Sequence, residues 1–175
     1  MKLPTILKCR KLNLRPIEEK DFDGFCSFLQ SERATKHLLF QRTELGSVQE
    51  ITHNFRKLID SKDSRDNYFV LVIADKHTDE YIGLVGLAPD YNSDALQIYW
   101  SVLPEYWNQG YASDAVKKLI SYAFEKLNVY RIVAYSHPDN LASTKVAIKA
   151  GMSHSGTIEI DESEGFVEYF EIENL

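Results

Sequence analysis

A strand, a glycine-centred turn, a helix and a second strand follow one another between residues 95 and 136. The first strand, ALQIYWSVL, alternates apolar and polar residues, which is the pattern of a half-buried strand. From Ser113 onward, apolar residues such as Val116 and Leu119 recur at helical spacing, and RIVAYS then predicts another strand. This strand-helix-strand unit predicts an α/β domain whose mixed sheet is covered by helices.

Hairpins make up most of the remaining sheet. Runs of β-branched and aromatic residues bounded by turn residues predict strands at the following segments: 11–17, 68–75, 81–89 and a terminal hairpin, TIEI and FVEYFEI, around the turn DESEG. Gly83 and Gly86 fall inside one of these runs and predict a bulge or a close approach of two backbones. The sheet therefore has about seven strands and is mostly antiparallel.

About four helices flank this sheet. Apolar spacing and capping residues place them at the following sites: 21–30, behind the Ser47 and Glu50 capping box, 113–127, and from the N-cap Asn140 to the stop at Gly151. Residues 31–45 show no clear period and predict a loop or a short irregular helix. No linker or repeat divides the chain, so residues 1–175 are expected to form a single domain.

Composition excludes several classes of function. The net charge of −6 and the pI near 5.4 argue against nucleic-acid binding as the main activity. No apolar run approaches the length of about 18 residues that spans a membrane. The first eleven residues are too charged for a signal peptide, so a cytoplasmic location is expected. Cys9 and Cys26 are expected to be free thiols, and the scattered histidines predict no metal site.

The turn WNQGYAS lies where the long helix begins. The first N–H groups of a helix are unpaired and carry a partial positive charge, so they can bind an anion. Gly110 lets the backbone approach a ligand, and small Ala112 and Ser113 keep side chains out of its way. The turn could hold a pyrophosphate, or it could merely start a helix.

Two ordered motifs resemble those of the GNAT acyltransferase superfamily. Trp107-x-x-Gly110-x-Ala112 resembles its acetyl-CoA signature R/Q-x-x-G-x-G/A, and PEYWNQGYASDA is similar to the subgroup of ribosomal-protein N-terminal acetyltransferases. HPDNLASTKVAIKAGM resembles a second element of that subgroup, N-x-x-S-x-K-V-x-x-K-x-G-F/M. The resemblance covers nearly the whole chain. It implies a GNAT-like mixed sheet, splayed at a cleft that binds acetyl-CoA.

The resemblance also implies roles for individual residues. Main-chain N–H groups from Gln109 to Ser113 would hold the coenzyme pyrophosphate. Ser143 would lie near the thioester sulfur and could act as an acid. The implied coenzyme-binding residues are Ser101, Val102 and Leu103 along the pantetheine arm, Trp107, Asn108, Gln109, Gly110, Tyr111, Ala112 and Ser113 in the turn, and Asn140 and Ser143 downstream.

The general base is unassigned. Gln97 stands where many members of the subgroup have a glutamate, and glutamine can orient a water but cannot accept a proton. The residue that binds the coenzyme ribose phosphate is also open.

The expected activity is acetyl transfer from acetyl-CoA to a primary amine, with a protein or peptide N-terminal α-amine as the acceptor. A polyamine, an amino sugar or an antibiotic amine is the alternative acceptor. A non-catalytic acyl-CoA-binding module is the alternative function. Residues 31–46 and the hairpin at 161–165 are expected to hold the acceptor. The protein is expected to be a monomer or a homodimer.

Overall fold

The computed structural model describes residues 4–38, 47–60, 69–90, 92–160 and 165–174. One mixed sheet runs through them, and its strands follow the spatial order β1-β2-β3-β4-β5-β6-β8-β7. The strands are β1 Leu7–Lys8, β2 Leu12–Pro16, β3 Phe69–Asp75, β4 Tyr81–Pro89, β5 Leu96–Val102, β6 Arg131–Ser136, β7 Ser153–Glu159 and β8 Phe166–Glu173. Only β5 and β6 are parallel neighbours; every other neighbouring pair in this part of the chain is antiparallel.

Five α-helices accompany the sheet in the described residues. They are α1 Phe22–Gln30, α2 Glu32–Thr35, α3 Val48–Asp60, α4 Tyr111–Leu127 and α5 Leu141–Lys149. The α/β fold and its mostly antiparallel sheet are thus confirmed. The prediction of about seven strands missed the two-residue strand β1. The prediction of about four helices did not count α2, which lies in the segment 31–45 where a loop or a short irregular helix was expected. None of the described helices is long and apolar enough to cross a membrane.

Each face of the sheet carries its own core. On one face, α4 and α5 cover a cluster that includes Leu71, Ile73 and Phe170, all fully buried. On the other face, α1 and α3 cover a cluster that includes Val72 and Phe55. Because β3 contributes alternate residues to both clusters, its sequence is a continuous apolar run rather than an alternating one.

Two of the sequence predictions depend on local contacts and are confirmed. A side chain at Gly83 would overlap the Ser101 carbonyl, so this glycine permits a close approach of β4 to β5. The Ser47 hydroxyl accepts the Glu50 N–H at 3.2 Å, while the Glu50 carboxylate accepts the Ser47 N–H at 2.8 Å. This reciprocal pair is the capping box that starts α3.

β5 and β6 pair over two residues only. Leu96 lies opposite Ile132 and Gln97 lies opposite Val133, and beyond these pairs the two strands separate. The sheet therefore opens towards the carboxyl ends of β5 and β6, which is the splay expected at a coenzyme cleft.

A buried ion pair fixes the start of α1 to β2. The Arg15 guanidinium donates to both oxygens of Asp21 at 2.8 and 2.9 Å, and the two residues are 4% and 1% exposed. Asp21 also accepts the Glu18 N–H at 2.8 Å. Every oxygen of this buried carboxylate is thus hydrogen-bonded, as a charge in the interior requires.

The variant Asp21→Asn is expected to lower the free energy of unfolding by about 2 kcal/mol, because it removes the buried one of the two carboxylates that pair with Arg15 and leaves only the partly exposed Asp79. Urea denaturation at neutral pH measures this change. Glu19→Gln is the matched control: its carboxylate pairs with Arg56 where both side chains are about 60% exposed, so the loss should stay below about 1 kcal/mol. Equal losses in the two variants would contradict the expectation.

Candidate active site

A cleft of about 530 Å³ lies where β5 and β6 separate. One wall is formed by the end of β5 and the start of α4, and the opposite wall by the start of α5. Phe28 of α1 and residues 33, 34 and 36–38, between α1 and α3, contribute the remaining described part of the lining. Because the two helices begin near the separated strand ends, their first N–H groups lie beside the opening.

The turn before α4 has two residues with left-handed backbones. Asn108 has a φ of 60° and Gly110 a φ of 80°, and α4 begins directly after Gly110, at Tyr111. The helix therefore starts two residues earlier than the apolar spacing from Ser113 indicated. Gly110 is the N-cap, and as a glycine it has no side chain to accept a hydrogen bond from the first turn of the helix. These N–H groups lie beside the cleft, where an anion could accept hydrogen bonds from them.

Lys11 adds a cation to this turn. Its ammonium group donates to the Gln109 carbonyl and lies 4.6 Å from the centre of the Tyr111 ring. A Cβ at Gly110 would come within 3.3 Å of the same nitrogen. Sequence reasoning missed this residue, because only the fold brings the start of β2 to the start of α4.

Trp107 connects the turn to β5. Its indole Nε1–H donates to the Val102 carbonyl at 2.7 Å. The position that resembles the polar first residue of the acetyl-CoA signature thus provides a hydrogen-bond donor to the sheet. This bond fixes the turn relative to the end of β5.

The strand register decides which β5 main-chain groups face the opening. Leu103 N–H donates to Ile82 O at 2.9 Å, and Val102 lies opposite Gly83. In an antiparallel pair these bonds alternate, so Ser101 is bonded to β4, whereas the polar groups of Trp100 and Val102 point away from it. β4 thus holds the N–H group of Leu103 and, by this alternation, that of Ser101, and the main-chain roles expected of these two residues stay predictions.

The opposite wall begins with a capped helix. The Asn140 side-chain oxygen accepts the Ser143 N–H at 3.1 Å, so Asn140 is the N-cap of α5, as predicted. Its amide NH₂ group is not used in this cap, and Asn140 and Ser143 both line the cleft. Capping and ligand contact are thus compatible at Asn140.

Residues 33–38 contact both walls. The Arg33 guanidinium lies 4.8 Å from the Trp107 ring centre, and the His37 ring lies 5.3 Å from the His137 ring. Trp107 belongs to the β5 wall, whereas His137 directly follows β6. This segment therefore bridges the opening, although its sequence shows no regular period.

The structure brings most of the predicted coenzyme residues to the cleft. They are Ser101, Val102, Trp107, Asn108, Gly110, Tyr111, Ala112, Ser113, Asn140 and Ser143. Leu103, Gln109 and Gln97 are not among the described lining residues. Gln97 is paired on both sides, opposite Ala88 and Val133, in the closed part of the sheet. Its role in orienting a water stays a prediction.

The segments predicted to hold the acceptor are only partly described. Residues 39–46 and 161–164 lie outside the described residues. No group of three or more potential metal ligands occurs in the described ranges.

The acetyltransferase (GNAT) domain model matches residues 11–153. The chain belongs to the GNAT acetyltransferase family. It is therefore an acyltransferase, and acetyl-CoA is its co-substrate. An uncharacterised N-acetyltransferase, p20 of Bacillus licheniformis, is 29% identical over 154 residues, which cover 87% of this chain and 84% of the relative.

Two solved structures show the shared GNAT fold. One is a ribosomal L7/L12 α-N-protein acetyltransferase in complex with coenzyme A, with a TM-score of 0.80, 18% identity and coverage of 96% of this chain and 97% of the other. The other is a spermidine N-acetyltransferase from Vibrio cholerae in complex with CoA and spermine, with a TM-score of 0.75, 20% identity and coverage of 93% and 95%. The acceptors named for these two acetyltransferases differ, so the fold does not determine the acceptor.

Replacing Gly110 tests the left-handed turn. Gly110→Ala is expected to lower the free energy of unfolding by about 1 kcal/mol, since a Cβ is unfavourable at a φ of 80°. Gly110→Asn is the matched comparison, because asparagine tolerates this region better and should cost less. Denaturant unfolding without ligand measures both variants. Equal stability of the alanine variant and the wild type would contradict the assigned backbone.

Proposed function

We propose that this GNAT enzyme acetylates the α-amine of a peptide or protein N-terminus. The observation that carries the proposal is the separation of β5 and β6 between the N-terminus of α4 and the capped N-terminus of α5. This arrangement offers an anion-binding helix start on one side and an extended main chain beside it. Both features suit a coenzyme that has a diphosphate and a peptide-like pantetheine arm.

The diphosphate would lie at the turn from Asn108 to Ser113. Main-chain N–H groups of the first turn of α4 would donate to its oxygens, and Lys11 would supply a positive charge beside them. Lys145 and Lys149 on α5 also line the cleft and are the candidates for the ribose phosphate. These cations allow a protein with a net charge of −6 to bind a polyanion.

The pantetheine arm would extend along β5 in place of a missing neighbouring strand. The N–H groups of Trp100 and Val102 face this space and could donate to its amide oxygens or to the thioester oxygen. The Asn140 amide would contact the arm from the opposite wall. The Ser143 hydroxyl, in the first turn of α5, is the proposed donor near the leaving sulfur.

The charge of the cleft favours a peptide α-amine over a polyamine. Four described lining residues carry cationic side chains: Arg33, Lys36, Lys145 and Lys149. The one described carboxylate in the lining is Asp139, whose side chain is 81% exposed at the rim. With Lys145 and Lys149 neutralised by the ribose phosphate, a polycation would still meet repulsion from Arg33 and Lys36 and little compensating negative charge. A peptide brings one amine, which reacts in its neutral form.

The reaction requires a neutral amine and a polarised thioester. The amine nitrogen attacks the thioester carbonyl carbon, and the developing oxyanion is stabilised by main-chain N–H groups that face the splay. The carbon–sulfur bond then breaks, and a donor near the sulfur, proposed to be Ser143, assists its departure.

Coenzyme binding is tested by thermal shift with acetyl-CoA, using ATP and NAD as comparison ligands. At about 100 times Kd, acetyl-CoA should stabilise the fold by roughly 2.7 kcal/mol. Gly110→Asp should abolish this shift, because it places bulk and negative charge where the diphosphate binds. Gly156→Asp is the control: Gly156 also has a positive φ, with open space around it, but lies in β7. Retained acetyl-CoA binding in Gly110→Asp would refute the proposed diphosphate position.

The acceptor is tested by release of the coenzyme thiol with two sets of amines. One set contains short peptide amides with an N-terminal serine or alanine, and the other contains spermidine, an amino sugar and an aminoglycoside. The proposal predicts the highest kcat/KM in the peptide set. Preference for spermidine would exclude the peptide acceptor, whereas coenzyme binding without turnover would support a binding module.

A further inference from the structure

The cleft contains one described side chain that is suited to accept a proton near neutral pH. The lysine, arginine and tyrosine side chains that line the cleft, Tyr106 among them, ordinarily hold their protons near neutral pH. Burial raises the pKa of Tyr106, which makes its phenolate still less accessible. The Asp139 side chain is 81% exposed, so its carboxylate lies in solvent at the rim of the cleft. His37 is the remaining titratable group in the described lining.

His37 is held beside the end of the site where the thioester would lie. It lies in a turn closed by the Leu38 N–H, which donates to Thr35 O at 3.2 Å. Its ring contacts that of His137, whose carbonyl accepts the Asn140 N–H at 2.8 Å. His37 therefore touches the turn that carries Asn140 towards the cleft, rather than the diphosphate turn alone.

The surroundings of His37 favour a neutral imidazole. Burial lowers its pKa, the charge of Lys36 and the ring of His137 lower it further, and Asp139 opposes them. His137 accepts the Asp139 N–H at its Nδ1 atom at 3.1 Å, which holds the ring against which His37 packs. A neutral imidazole has a lone pair available for a proton.

We propose that His37 is the proton acceptor for the attacking amine, in the place left open by Gln97. The proposal rests on the acetyl-transfer function proposed above. His137 is a positioning residue, because it holds the His37 ring and does not itself line the cleft.

The proton transfer balances within the reaction. The amine nitrogen bonds to the carbonyl carbon, and the proton on that nitrogen passes to the imidazole of His37. The carbon–sulfur bond breaks, and its electron pair leaves with the sulfur. The coenzyme thiolate then takes a proton from the imidazolium or from water, so the products are the amide and the free thiol.

His37→Gln is the decisive variant, since glutamine can hydrogen-bond but cannot accept the proton. With an N-terminal alanine peptide amide as the acceptor, kcat should fall about 100-fold, whereas the KM for acetyl-CoA should stay within about twofold. The acid limb that His37 contributes to the wild-type pH profile should also disappear, leaving only the limb set by the acceptor α-amine. His53→Gln, an exposed change on α3, is the control and should leave both quantities unchanged. Unchanged kcat and an unchanged acid limb in His37→Gln would overturn the proposal.

Lys36→Met gives a test that a purely structural role would not pass. Removing this cation should raise the pKa of His37 and so move the acid limb of the pH profile to higher pH. An acid limb at the same pH as in the wild type would show that His37 is not the group that titrates there. Proton NMR of the His37 ring should show a titration midpoint below about 6.5, displaced when acetyl-CoA is added. A ring insensitive to acetyl-CoA overturns the proposal even when no acceptor turns over.

Calorimetry with acetyl-CoA separates this proposal from the function on which it rests. Wild type and His37→Gln are expected to bind acetyl-CoA equally. If wild type does not bind acetyl-CoA, the proposed function fails. If both bind and turn over with the same pH profile, only the role of His37 fails.

Discussion

The candidate site depends on the early separation of β5 and β6. Two paired residues join these strands, and the rest of β5 has main-chain groups without a neighbouring strand on that side. Such groups are costly to bury unpaired, so they must face solvent or a ligand. The starts of α4 and α5 lie at the same opening because each helix follows one of the separated strands. The ligand-binding groups are thus consequences of the sheet topology rather than additions to it.

Much of this arrangement is predictable from local sequence. The alternation in β5, the amphipathic spacing of α4 and the caps at Ser47 and Asn140 each depend on neighbours in the chain, and the structure confirms them. Gly110 is predictable for the same reason, since a turn into a helix restricts φ at one residue. The order of strands and helices then limits the fold to few topologies, and the motif resemblance selects one of them.

What sequence reasoning missed depends on tertiary geometry. The register between β4 and β5 decides whether the main-chain groups of Ser101 or those of Val102 face the splay. Residue types do not reveal that register. Lys11 and His37 reach the site across long sequence separations, and neither lies in a recognisable motif. Gln97, at the position where the subgroup has a glutamate, lies where β5 is paired on both sides. The chemistry of the cleft is therefore supplied partly by residues that only folding brings together.

The two-residue joint between β5 and β6 has a mechanical consequence. It divides the sheet into a five-stranded part, β1 to β5, and a three-stranded part, β6 to β8, which α4 also connects. A coenzyme arm lying in the opening would touch both parts and act as a brace between them. The amides of β5 and β6 beside the opening should then exchange hydrogen more slowly once the coenzyme is bound. The acetyl donor would then act as a structural element as well, and release of the product thiol would loosen the joint through which the next donor must enter.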